Sequence, residues 1–234
     1  MIGICKLSLL IFISLFISCN ELGDYYGKDK YQAYHLINTY VDADSPQIRV
    51  QNKEIIIFFR NKFSSNVCYS AEFANVIGVE QSKEQLTKFI SLANKNNDHL
   101  KWIVSYRTHG YKNNMHYYAD GSLVAITKGI INIDLVSNTD FDEKHPAGTS
   151  LMDIVTLKVD TFGDMVGIPL DKLDVWCYKS KNYSLYTKKE LSIIGEELCL
   201  RFNTHPKNSK KLNFIATITF DDGEVFSDIV EVEF

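Results

Sequence analysis

The C-terminal stretch KLNFIATITFDDGEVFSDIVEVEF, residues 211–234, leaves the chain little conformational choice. Leu212, Phe214, Ala216, Ile218 and Phe220 recur at every second position, so an extended strand places all five on one face. Asp222-Gly223 supplies a tight turn, and Val230, Val232 and Phe234 then alternate with Glu231 and Glu233 on the return. The pair reads as a hairpin that closes the fold and commits this end of the chain to β structure.

The same texture runs upstream. Residues 48–50, 54–60, 101–107, 123–127 and 130–136 are short β-branched or aromatic runs between turn residues, and a second series follows at 154–159, 173–178 and 198–202. In the run IINIDLV, Ile131, Ile133 and Leu135 alternate with Asn132 and Asp134, which predicts one buried and one wet face. Helix is scarce. Ser82 with Gln85 forms a capping-box pattern ahead of Leu86, Phe89, Ile90 and Ala93, and Thr187 with Glu190 forms another ahead of Leu191 and Ile194. Many short strands and few helices predict a mostly β protein: an antiparallel β-sandwich of the immunoglobulin-like or transthyretin-like kind with one or two short helices, as a single domain over residues 45–234.

The N-terminus has a different texture. MIGICKLSLLIFISLFIS holds one basic residue, Lys6, and an apolar stretch over residues 7–17, which is the length of a signal-peptide core and too short to span a bilayer as a helix. Phe16, Ile17 and Ser18 lead directly into Cys19, an arrangement that resembles the lipobox of bacterial lipoproteins. That resemblance implies a signal peptide over residues 1–18 and a diacylglycerol group on Cys19. It also implies a lipid-anchored protein of the cell envelope, at the outer membrane, with the membrane as its first partner. Residues 19–44 are polar and tyrosine-rich and are expected to be a tether and N-terminal segment.

Composition narrows the chemistry. A net charge of −4 gives no electrostatic reason to seek nucleic acid. Cys68, Cys177 and Cys199 are an odd set once Cys19 is lipidated, and they read either as small buried hydrophobes or as a Cys177–Cys199 disulfide with one thiol over. The six histidines are dispersed, without HExxH or a zinc-like spacing. Asp140, Asp142 and Glu143 lie close together with His145 nearby, but without the acidic ladder and glycine of a calcium loop, so the segment over residues 137–153 reads as a loop turning at Pro146 and Gly148. No metal and no cofactor are expected. Gly148-Thr149-Ser150 lacks the second glycine of a nucleophile elbow, Met152 standing in its place, so no catalytic residue is assigned and the chain is not expected to be an enzyme.

Aromatic residues carry the functional hint. Tyr106, Tyr111, Tyr117 and Tyr118 sit in polar company around RTHGYKNNMHYYADG, a composition suited to stacking on sugar rings or to a protein-binding patch.

Ile131, Ile133, Leu135 and Ser137 of one strand are followed by Asp140, Phe141, Asp142, His145, Pro146, Ala147, Gly148, Thr149, Ser150, Leu151 and Asp153, and the chain closes with LCLRFNTHPKNSKKLNFIATITFDDGEVF. These two segments resemble a group of small Bacteroidetes lipoproteins of unknown function. The resemblance implies a fold and a compartment, and it carries no activity. The expected function is therefore a membrane-anchored envelope lipoprotein that acts as a non-enzymatic binding module for a protein or a glycan. A structural, fimbria-like subunit assembling by strand addition is the alternative, and a sandwich-fold hydrolase the third reading.

Overall fold

A computed structural model describes residues 32–44, 46–59, 67–71, 74, 78–98, 101–103, 123–168, 177–207 and 210–234, of which 32–34 and 101–103 by backbone. In chain order its strands are β1 (Gln32–Tyr34), β2 (Thr39–Val41), β3 (Gln47–Gln51), β4 (Glu54–Phe58), β5 (Val67–Tyr69), β6 (Lys101–Ile103) and β7 (Val124–Ile126). They continue as β8 (Ile130–Ser137), β9 (Val155–Thr161), β10 (Tyr178–Asn182), β11 (Ile194–Phe202), β12 (Lys211–Phe220) and β13 (Val225–Glu233). Among the described residues, helices α1 (Lys83–Lys95) and α2 (Lys188–Leu191) accompany them, with short 3-10 turns at Met152–Ile154 and Tyr183–Leu185.

The protein is mostly β and sandwich-like. A five-stranded antiparallel sheet in the order β10-β9-β11-β4-β3 faces a three-stranded antiparallel sheet in the order β13-β12-β8. Alternation decides what lies between them. Ile55 and Ile57 of β4, Leu157 and Val159 of β9, and Leu198 and Leu200 of β11 meet Ile133 and Leu135 of β8 and Phe214, Ala216 and Ile218 of β12 in one buried cluster. Each of the larger of these side chains contributes on the order of 1.5–3 kcal/mol through removal from water. At one end Phe141, Phe202, Phe214 and Phe234 close the cluster, with Phe141 and Phe202 stacked at 5.7 Å between centroids.

A second core lies beside the first. β5, β2 and β7 form a small mixed sheet in which β2 pairs antiparallel with β5 and parallel with β7. The two faces of β2 go to different cores: Val41 joins the sandwich, while Tyr40 joins Leu36, Ile37, Cys68, Phe89 and Ala93 beneath α1. The Ser82–Gln85 capping box forms as the sequence predicts, and Asn96 caps the other end. Asp98, buried, accepts hydrogen bonds from the N–H groups of Leu36 and Ile37 at 2.9 Å and so fixes the approach to β2.

Four expectations need correction. Ile131 is 57% exposed and Ile130 is buried in its place, because the β12–β8 register shifts between Thr219 and Phe220 and the extra residue turns the strand end over. Ile90 faces solvent at 46% exposure, leaving Phe89 and Ala93 as the buried stripe of α1. The domain begins before residue 45, since Leu36, Ile37 and Tyr40 of the 19–44 segment are core. Cys177 and Cys199 are free buried thiols. Cys177 bonds through its carbonyl to Thr161 on one side of β9 and Cys199 pairs with Lys158 on the other, so a strand spacing of about 4.8 Å taken twice separates them beyond the roughly 7 Å a disulfide tolerates.

The sandwich edges are guarded. Asp228 of β13, exposed, stands at the register opposite buried Ala216, and β10 turns Lys179 and Lys181 inward onto Glu190. Charges on edge strands oppose the addition of another strand.

Candidate functional site

Alternation that buries one face of the five-stranded sheet leaves Glu54, Lys158, Asp160, Tyr178, Glu197 and Cys199 on the other. Where β7 crosses one end of this outer face, Leu123 and Val124 form a wall and the sheet forms a floor. The result is a cleft of about 460 Å³, within the size range of small-ligand sites.

Its polar groups fall into two sets. In the first, Glu54 Oε1 accepts from Lys158 Nζ at 2.6 Å and Oε2 accepts from the Cys199 thiol at 3.1 Å. Burial raises the Glu54 carboxyl's pKa, but the bonds from Lys158 and Cys199 outweigh it and hold it below its ordinary value. Burial, reinforced by the Glu54 carboxylate, pushes the Cys199 thiol up to about 12. In the second set, Cys177 donates to Asp160 Oδ1 at 3.4 Å. Burial raises Asp160, and it pushes Cys177 up to about 12 with help from the Asp160 charge. Burial also raises Glu197, with Glu196 and Asp160 adding like-charge repulsion.

This arrangement has a definite chemical character. A thiol acts as a nucleophile only as its thiolate, and both Cys199 in the cleft and Cys177, buried behind Asp160, stay protonated at neutral pH. Asp160 and Glu197 instead offer carboxyl oxygens that can accept hydrogen bonds from hydroxyl groups. Tyr178, 46% exposed, contributes an aromatic face at the mouth.

The acidic segment between β8 and β9 is built differently. His145, 7% exposed, has Nδ1 2.8 Å from Asp142 Oδ1 and Nε2 3.1 Å from Asp153 Oδ2. Burial pulls the imidazole's pKa down, and the bonds to Asp153 and Asp142 more than reverse this to raise it. Asp140 accepts from Ala147 N–H at 2.8 Å, and Ser150 Oγ donates to Asp134 at 2.6 Å. Of the carboxylates considered as calcium ligands, Asp140 and Asp142 are engaged within the loop and Glu143 pairs with Lys207 at the surface, and among the described residues no group of three or more His, Cys, Asp or Glu side chains is arranged to hold a metal ion.

Cys19, Tyr106, Tyr111, Tyr117 and Tyr118 lie outside the described residues. Sequence reasoning missed Asp160, Glu54 and Tyr178. The usable signal was the polar half of the alternation in VTLKVDT, but nothing local says which solvent-facing residues meet β7. No family model matches the chain, no curated protein matches it, and no solved structure matches it.

Proposed function

We propose that the chain is a lipid-anchored lipoprotein of the outer membrane whose sandwich domain binds a glycan, without catalysis, in the cleft on its outer sheet face. The observation that carries the binding half is one exposed aromatic ring, Tyr178, beside the raised carboxyls of Asp160 and Glu197 in a cleft of about 460 Å³. Sugars present C–H faces that pack on such a ring and hydroxyls that donate to such carboxyls. The anchoring half rests on Cys19 at the junction of the apolar leader and the polar chain. Acyl chains there add about 0.8 kcal/mol of membrane affinity per buried CH₂. Tyr106, Tyr111, Tyr117 and Tyr118, in the polar stretch RTHGYKNNMHYYADG, are assigned from their composition as further ligand contacts. Protonated thiols and a doubly engaged imidazole support a binding role over nucleophilic catalysis, and the guarded edges of β10 and β13 favour it over assembly by strand addition.

Screening the purified protein against an oligosaccharide panel tests the first half. A retained glycan whose affinity falls about three- to tenfold in Tyr178→Ala, the worth of one ring contact, supports the reading. No retained glycan, or equal binding by the variant, overturns it. Metabolic labelling with an alkyne fatty acid tests the second half: label on the wild type and none on Cys19→Ala is expected, and an unlabelled wild type rejects the anchor.

A further inference from the structure

The segment over residues 138–151 is a strap that leaves β8 in one sheet and enters β9 in the other. It pins the aromatic end of the sandwich, because Phe141, fully buried, packs on Phe202, Phe214 and Phe234. Its backbone is closed on itself by Phe141 N–H to the His145 carbonyl at 2.9 Å and tied to β8 by Gly148 N–H to the Ser137 carbonyl at 2.9 Å. The centre of the strap is the His145 ring, with a carboxylate at each nitrogen. Only a doubly protonated imidazole can donate to both.

We propose that the Asp142–His145–Asp153 clamp makes this strap a pH-sensitive latch, closed while His145 carries two protons and loosened at the Phe141 end when it loses one. Loss of a proton leaves a lone pair on the buried ring facing a carboxylate at about 3 Å, a repulsive contact that replaces a charge-assisted hydrogen bond. The other charged groups around the ring do not replace the missing proton. Asp140 and Asp134 are acids engaged by Ala147 and Ser150, and Glu143 and Lys207 pair with each other at the surface. Lys144 offers its N–H to Asp142, and His205 lies against Phe234.

The sign follows from linkage. A group whose pKa is raised by folding contributes stability that is complete below its ordinary value of about 6.5 and is lost as pH rises through the folded value. Strap closure should weaken by up to about tenfold per pH unit across that interval, while the β12–β13 hairpin, which has no part in the clamp, should not respond.

The test is amide hydrogen exchange of the full chain followed by mass spectrometry from pH 5 to 9, corrected for intrinsic rates, with His145 titration followed in parallel by NMR. Expected is a fall in protection over residues 139–150 that tracks the His145 titration, with constant protection in β12 and β13. In Asp153→Asn, whose side chain is 69% exposed in the wild type and so tolerates replacement, the midpoint should move to lower pH; in His145→Gln the profile should be flat. A strap profile indifferent to pH in the wild type, or an unmoved midpoint in Asp153→Asn, overturns the proposal. Should His145→Gln fail to fold, the Asp153→Asn midpoint decides alone.

Discussion

The closed end of the sandwich and the cleft on its outer face use the same residue types to opposite effect. At the closed end each acid meets a donor: Asp142 and Asp153 meet His145, Asp140 meets Ala147 N–H, and Asp134 meets Ser150. On the outer face burial raises the pKa of both Asp160 and Glu197, and the Glu196 and Asp160 charges add to the rise at Glu197 beside an open cleft. Internally answered polar groups hold a loop and its neighbour Phe141 in one place. Polar groups crowded beside open space keep capacity for hydrogen bonds with something else. The comparison teaches that in this fold acidic density alone does not mark a site; what marks it is whether the chain has already supplied the partners.

The comparison can be broken most directly at Phe141. Phe141→Ala should lose about 3–5 kcal/mol in urea unfolding, as deletion of a fully buried ring does. A loss no larger than that of a surface substitution would mean the closed end is not the structural one. The thiols come next. With Cys177 and Cys199 pushed up to about 12 and Cys68 to about 11, all three buried, a disulfide reagent at pH 8 should label these three thiols in the native protein, followed by peptide mapping, more than about a hundredfold more slowly than in the urea-unfolded chain. Fast labelling of Cys199 would show an ionised cleft and remove the argument against nucleophilic chemistry there.

A smaller effect is expected at Glu190, whose carboxylate receives bonds from Lys179 and Lys181 at 2.7 Å. Burial raises its pKa, and the two lysines with the Thr187 cap reverse this to about 2. A depressed carboxyl contributes stability above its ordinary value of about 4.3 and loses it as pH falls toward the folded one. Glu190→Gln should therefore cost about 1–2 kcal/mol at pH 7, discounted for the partly exposed lysines, and the gap to wild type should close below about pH 4. A gap constant from pH 7 to pH 2 would place its origin in packing. Smallest is Tyr178→Ala, which should change stability by no more than about 0.5 kcal/mol while weakening glycan binding. A large stability loss there would make the cleft's aromatic ring part of the architecture.

Much of the fold was legible because its rules are local. The hairpin of β12 and β13 follows from alternation plus Gly223, whose φ of +87° suits a residue without a side chain. The capping boxes at Ser82 and Thr187 form where the residue spacing puts them. Ile131 and Ile90 were misplaced for a physical reason: periodicity counts residues evenly, while a bulge inserts one and a short helix buries only as wide a stripe as its neighbours cover. Strands β2 and β5, three residues each, are too short to show a period, and they exist because α1 and the sandwich bury them from both sides.

By itself, then, the sequence determined a mostly β chain with a closing hairpin, two capped helices and a cysteine at the end of an apolar leader, since alternation, caps and turns act over a few residues. The tertiary structure alone decided that Asp160, Glu54 and Tyr178 share a cleft, that His145 is held between two acids, and that Cys177 and Cys199 stay apart on either side of β9. Those relations join residues far apart in the chain, and they depend on strand order, which no local pattern encodes.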